Sequence, residues 1–294
     1  MRYVFPLAAA LAATAGLVRP ASAQLTVTPS SDAAALADAF TGTGVTIVGA
    51  PTLVGAAGQQ GFFNSVNPNL IGFESGVVLS TGLAGNAIGP NTDSSAGESL
   101  QTPGDADLSA LINGQTTNDA NSLTFQFTVE PGAAQLNFNF VFASEEYNEF
   151  VGSDFNDVFG FFVDGQNVAL IPGTATPVAI NTVNAGYLDT PPSNPQYYRN
   201  NDPFDPDFAG NTVPPEQLLD LQADGLTVVF TADVLAALDP SLDVHTIKLA
   251  IADTSDDVYD SWVFLSGESF SIPEPTGALS MLGLAGIALG RRRK

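Results

Sequence analysis

Short runs of strand-forming residues, each closed by glycine, proline, asparagine or aspartate, recur along the chain, and in the clearest of them apolar and polar residues alternate. In Leu136-Asn137-Phe138-Asn139-Phe140-Val141-Phe142 every even position is apolar. Successive side chains of a strand point to opposite faces, so Leu136, Phe138, Phe140 and Phe142 define one buried face. Similar runs occupy Val45 to Val48, Gly76 to Ser80, Ser122 to Val129, Gln135 to Phe142, Val158 to Val163, Gly225 to Ala232, His245 to Ala252 and Ser261 to Leu265. Helical signals are few: Asp32 to Phe40, with Ser31 as N-cap, and Asp233 to Leu238 before Pro240. Leu83 to Asn121 and the proline-rich Gly186 to Pro215 read as long loops, which in a compact domain are functional or disordered. The expected fold is mainly β: a single large antiparallel β-sandwich of jelly-roll type with few short helices.

The two ends of the chain have a different character. Arg2, the apolar run Val4 to Val18 and the small-residue motif Ala21-Ser22-Ala23 are the three parts of a secretory signal, read by the Sec export machinery and signal peptidase. The mature chain is then expected to begin near Gln24. At the other end, Pro273-Glu274-Pro275 precedes the apolar stretch Gly277 to Gly290 and the basic terminus Arg291-Arg292-Arg293-Lys294. Fourteen helical residues reach roughly 21 Å, short of the roughly 30 Å hydrocarbon core, so this is a marginal anchor with its cations held on the cytoplasmic side. The tail resembles the PEP-CTERM sorting signal of Gram-negative bacteria. That resemblance implies transient inner-membrane association, recognition by an exosortase, cleavage near the motif and delivery to the cell surface. Residues 1–23, 24–272 and 273–294 are therefore expected to be signal peptide, extracellular β domain and sorting segment.

Residues 24–272 hold thirty of the 31 acidic residues but only two basic ones, Arg199 and Lys248, a net charge of −28. Such a surface repels nucleic acid and attracts cations. No cysteine is present, so disulfides contribute nothing to stability. The acids cluster in two stretches that join strands: Glu145, Glu146, Glu149, Asp154 and Asp157 in one, Asp256, Asp257 and Asp260 in the other. Crowded carboxylates repel one another unless solvated, protonated or bridged by a cation. Calcium takes six to eight oxygen ligands from flexible loops, and these eight residues are its candidate ligands. A solvated acidic rim of N-caps and Asx-turns accounts for the same pattern. A partial calcium loop runs from Asp205 through Asp207 to Glu216, but Ala209 breaks it and the surrounding prolines oppose its entering helix.

Catalytic patterns are weak. The one histidine, His245, falls on the strand face of Ile247, Leu249 and Ile251, where a structural role is expected, and zinc has almost no nitrogen or sulfur ligands. Two carboxylates suffice for glycoside hydrolysis, so a secreted glycoside hydrolase is the alternative to a non-enzymatic protein. Tyr187, Tyr197, Tyr198, Phe204 and Phe208 in the proline-rich segment offer aromatic faces for stacking on sugar rings, Tyr197 and Tyr198 foremost, or else cover a small core of that segment. Trp262 is expected in the core.

Ser144-Glu145-Glu146-Tyr147-Asn148-Glu149-Phe150-Val151 and Ile251-Ala252-Asp253-Thr254-Ser255-Asp256-Asp257-Val258-Tyr259-Asp260-Ser261, with Ser75 to Gly82, Asp105 to Leu108 and Asp224 to Val229, resemble the choice-of-anchor L family from roughly Ala33 to Phe270. The resemblance implies an extracellular β-rich domain and brings no reaction or catalytic residues. Together with the tail it points to a surface or matrix protein associated with extracellular polysaccharide.

Intact-mass analysis of protein recovered from its native cell surface is expected to show an N-terminus near Gln24 and loss of the segment after Pro275. Recovery of Met1 or Lys294 would contradict both assignments.

Overall fold

The alternating run forms the centre of the larger of two antiparallel sheets in the computed structural model, which describes residues 25–273. In chain order the strands are β1 (Leu25–Pro29), β2 (Val45–Val54), β3 (Gln60–Ser65), β4 (Ser75–Ser80), β5 (Thr117–Val129), β6 (Asn137–Ser144) and β7 (Val158–Val163). They continue with β8 (Gln166–Asn167), β9 (Tyr198–Asn200), β10 (Gly225–Thr227), β11 (Phe230–Asp233), β12 (His245–Thr254) and β13 (Ser261–Ser266). Among the described residues three short α-helices, α1 (Ala33–Phe40), α2 (Pro68–Ile71) and α3 (Ala106–Leu111), and four three-ten turns complete the regular structure. The larger sheet runs β1-β3-β4-β13-β6-β10-β9, with β11 also paired to β6, and the smaller runs β2-β5-β12-β7-β8.

The sheets pack face to face as a sandwich. Phe138, Phe140 and Phe142 of β6 enter the central core with Val77 and Leu79 of β4, and meet Phe125, Phe127, Phe159, Phe161 and Leu249 from the other sheet. Phe138 stacks on Phe161 at 3.8 Å between ring centroids, a direct contact between the layers. Both outer faces are covered as well. Val141, Ala143, Trp262 and Phe264 lie under Leu70 and Ile71 of α2, while Val158, Phe162 and Ala250 lie under Leu108 of α3. Two-sided burial explains why β7 and most of β13 are continuous apolar runs rather than alternating ones.

Local structure departs from expectation in several places. Asp32, not Ser31, caps α1, its carboxylate accepting from the Ala35 amide at 3.1 Å. The second expected helix shrinks to a three-ten turn at Leu235–Ala237 because Asp233 is still in β11. Gly225 to Ala232 divides into β10 and β11, both paired to β6. The segment from Leu83 to Asn121 is not a plain loop: it contains a three-ten turn, α3 and the start of β5. His245 is buried and bonded through Nδ1 to Asp164 at 2.7 Å, and Trp262 is fully buried.

Residues 1–23, with Ala21 and Ala23, and the tail residues Glu274, Pro275, Arg291, Arg292 and Arg293 lie outside the described residues; Pro273, the last one described, is exposed. Among the described residues no helix is long and apolar enough to cross a membrane.

Phe138→Ala is expected to cost about 3–5 kcal/mol in denaturant unfolding, since it removes a fully enclosed ring between the sheets. Asn139, one step along the strand, is half-buried and accepts from the Thr231 hydroxyl at 2.7 Å, so Asn139→Ala is expected to cost about 1 kcal/mol. Equal losses would contradict the observed face assignment.

Candidate functional site

Strand register collects the acids at one end of the sandwich. Ser144 at the end of β6 pairs with Ser261 of β13 on one side and Gly225 of β10 on the other. One step beyond that register, Glu145 therefore lies between Asp260 and Asp224, and its amide donates to the Asp260 carbonyl at 3.1 Å. The smaller sheet contributes Asp157, just before β7, and Asp253 near the end of β12. Asp157 ties the layers together: it accepts from the Thr254 amide at 2.9 Å and from the Ser261 hydroxyl at 2.6 Å. The two acidic stretches, separate in sequence, form one assembly.

Most of this assembly is closed to water. Glu145 and Glu146 are 0% and 1% exposed, and Asp157, Asp224, Asp253 and Asp260 are also buried. Glu149, Asp256 and Asp257 are half-buried and Asp154 is exposed, so the expected ligand set spans the whole range from interior to surface. Gly82 has to lack a side chain, because a Cβ there would run into the Asp260 carboxylate.

Hydrogen bonding compensates this burial unevenly. Asp260 accepts from the Glu98 amide at 2.9 Å and the Asn86 side chain at 3.3 Å, and Glu145 Oε2 accepts from the Ala96 amide at 3.3 Å. Glu145 Oε1, Glu146 Oε2, Glu149 Oε2 and Asp253 Oδ1 are enclosed with no partner. Burial first, and then Asp157, Asp256 and Glu149, push the Glu146 carboxyl up to about 10. Burial raises Glu145 to about 9 against the opposing Ala96 amide and Gln222 side chain. Asp224 rises to about 11 through burial and then the charges of Glu145 and Asp202, and Glu149 rises to about 8 through burial, with Asp205 and Asp202 adding to it. Asp157 and Asp260 each rise to about 7, burial again leading.

Among the described residues no basic side chain relieves this crowding. Lys248 pairs with Asp105 at 2.5 Å and Asp107 at 2.7 Å, and the Arg199 guanidinium donates to the Leu70 and Asn69 carbonyls. An all-oxygen donor set with unpartnered carboxylate oxygens suits a hard divalent cation such as calcium, and among the described residues the three acids whose oxygens all come within 4.8 Å of one another are Glu149, Asp202 and Asp205.

Asp202 and Asp224 are not among the expected ligands; Asp253 lies in the second acidic stretch without being one of them, and Asp205 enters the sequence pattern only as the start of the partial calcium loop. Asp224 immediately precedes a strand, a weak signal; the others reach the assembly through long-range pairing. The partial calcium loop is not formed, since Asp207 accepts from the Asn211 amide at 2.8 Å while Asp205 turns toward Asp202 and Glu149. Tyr197 packs edge-on against Phe230 at 5.3 Å, and Tyr198 lies 4.8 Å from Tyr147 with its hydroxyl donating to Asn148. In the same segment Phe204 and Phe208 are the exposed rings, at 46% and 47%.

A search of the curated proteins found no match, and a search of the solved structures found none either. The family model for the choice-of-anchor L domain matches residues 27–271, from within β1 to just past β13. The chain therefore belongs to the choice-of-anchor L domain family and is a surface-associated protein.

Proposed function

We propose that this is a non-enzymatic protein of the bacterial cell surface or extracellular matrix, exported through its N-terminal signal and sorted by an exosortase, whose acidic end is completed by calcium. The observation that carries the calcium reading is the pair Glu145 and Glu146, fully buried side by side, each with an oxygen that no donor reaches. Ionised and unpaired, such groups cost several kcal/mol each; a divalent cation outside the cell offsets that cost.

Association with extracellular polysaccharide is supported by two surfaces. An open groove of about 610 Å³ is lined by Asn113, Gln115, Asn156 and Asn181, whose amides suit sugar hydroxyls. Phe204 and Phe208 present exposed rings, whereas Tyr197 and Tyr198 are half-buried and packed against Phe230 and Tyr147. Asp154 is the one carboxylate lining that groove, whereas glycoside hydrolysis needs a facing pair; this favours binding over turnover. Retention on immobilised polysaccharide without release of reducing ends is the expected result, and turnover would favour the hydrolase.

The raised carboxyls also set the sign of the pH response. A carboxyl whose folded value exceeds its unfolded value contributes stability that is present below the ordinary carboxylate range and is lost as pH rises through the folded value. For Glu145 and Glu146 that window runs from about 4.5 to about 9 and about 10, respectively. Each group loses up to about 1.4 kcal/mol per pH unit within it. In EDTA the melting temperature is therefore expected to fall as pH rises from 5 to 9. Millimolar calcium, but not magnesium at equal ionic strength, is expected to restore it, and Glu146→Gln to flatten the fall. A melting temperature that is independent of both pH and calcium would sink the metal reading.

A further inference from the structure

Beyond the buried pair, the assembly reaches the surface at a second group of acids that links two distant segments. Glu149 lies in the connection from β6 to β7, whereas Asp202 and Asp205 follow β9 in the proline-rich segment. One carboxylate oxygen from each of the three lies within 4.8 Å of the other two. Oxygens that share one calcium ion, at about 2.4 Å each, stand no more than about 4.8 Å apart, and these three meet that limit.

Two further observations point to an occupant. Glu149 Oε2 is enclosed and has no donor, and beside it the fully buried Glu145 and Glu146 each carry an unpartnered oxygen. Both feel the charge of Glu149. The surrounding hydrogen bonds hold the acids in place without neutralising them. Asp202 Oδ1 accepts from the Phe204 amide at 2.7 Å and the Asp205 amide at 2.9 Å, and Asn148 Nδ2 donates to the Asp205 carbonyl at 3.1 Å. The Tyr187 hydroxyl donates to Asp205 Oδ1 at 3.2 Å.

We propose that Glu149, Asp202 and Asp205 hold a calcium ion that staples the proline-rich segment to the β6–β7 connection. Glu149 and Asp205 are half-buried, so water completes the coordination from the open side. The ion fixes the part of the chain that presents Phe204 and Phe208. This site rests on the calcium reading above but uses its own residues: Asp202 and Asp205 touch neither Asp157 nor Asp260 through any hydrogen bond.

Limited chymotrypsin digestion of the full domain tests the staple, with cleavage sites read by mass spectrometry. In EDTA, cutting after Phe204 or Phe208 is expected to be at least tenfold faster than in millimolar calcium. Asp205→Asn keeps the shape and the oxygen that accepts from Tyr187, and Asp202→Asn keeps the one that accepts from the Phe204 and Asp205 amides while turning its amide toward Asn148, so both are expected to be cut in calcium at the EDTA rate. Asp207→Asn, whose carboxylate serves only Asn211, is the control and is expected to stay protected. Terbium added in place of calcium is expected to luminesce on tyrosine excitation, and Tyr187→Phe to lose most of that emission. Calcium-dependent melting of wild type with equal protection of Asp202→Asn and Asp205→Asn would overturn the staple alone. Absence of any calcium effect on wild type, in melting and in digestion, would overturn the calcium reading and the staple together.

Discussion

The constraint on which this fold turns is that β6 is buried on both faces and still has to end somewhere. Its inward phenylalanines build the core between the sheets, while Val141 and Ala143 build the second core on the outer side. Flanked by β13 on one edge and by β10 and β11 on the other, it is half covered on its outer face at Asn137 and Asn139 and buried on both faces from Phe140 to Ser144. The residues that follow, Glu145 and Glu146, inherit that enclosure. Acids that would be a solvated rim on a sheet covered on one face become interior groups on a sheet covered on two.

How much of this was legible in the sequence follows from the same two-sided burial. Where one face met the main core and the other was only half covered, as at Asn137 to Asn139, the alternation was plain and the phase of Phe138 could be read directly. β3 escaped notice because Phe62 and Phe63 are adjacent: one packs on the central core and the other enters the outer one, so no alternation survives. β1 is short and its pattern is mostly exposed. The long stretch before β5 looked like a loop because its order comes from a distant anchor. Asp119 accepts from the amides of Leu100, Gln101 and Thr102, a three-residue turn gathered by one carboxylate.

For the acidic end, composition and spacing revealed the clusters but not their depth. Glu145 and Asp154 looked equivalent in the sequence; one is sealed and the other exposed. Depth depends on which strands end nearby, and that is a property of register. The same holds for Asp224 and Asp202, which belong to the assembly only because β10 and β9 continue the larger sheet beyond β6. The partial calcium loop shows the converse error: linear spacing grouped Asp205 with Asp207, while the fold groups it with Asp202 and with Glu149, more than fifty residues away.

The chain supplies its own standard for judging the unpartnered acids. Asp119 is fully buried and surrounded by amide donors. Asp164 is buried against His245 and also accepts from the Thr246 amide at 2.8 Å and the Asp239 amide at 3.0 Å, and these bonds hold its carboxyl below the ordinary range although burial opposes them. Asp105 and Asp107 share Lys248. In three separate places, then, a carboxylate receives backbone amides, an imidazole or an ammonium. Glu146 receives none of these, and among the residues whose charges bear on it, Asp157, Asp256, Glu149 and Glu145, every one is acidic. A fold able to compensate acids elsewhere, and carrying this group where strand register leaves it no water, leaves two physical states open to it: protonated, or bound to a cation. At neutral pH a proton neutralises one carboxyl and so also lightens the charge felt by its neighbours, whereas a divalent ion lying between carboxylates would act on several at once.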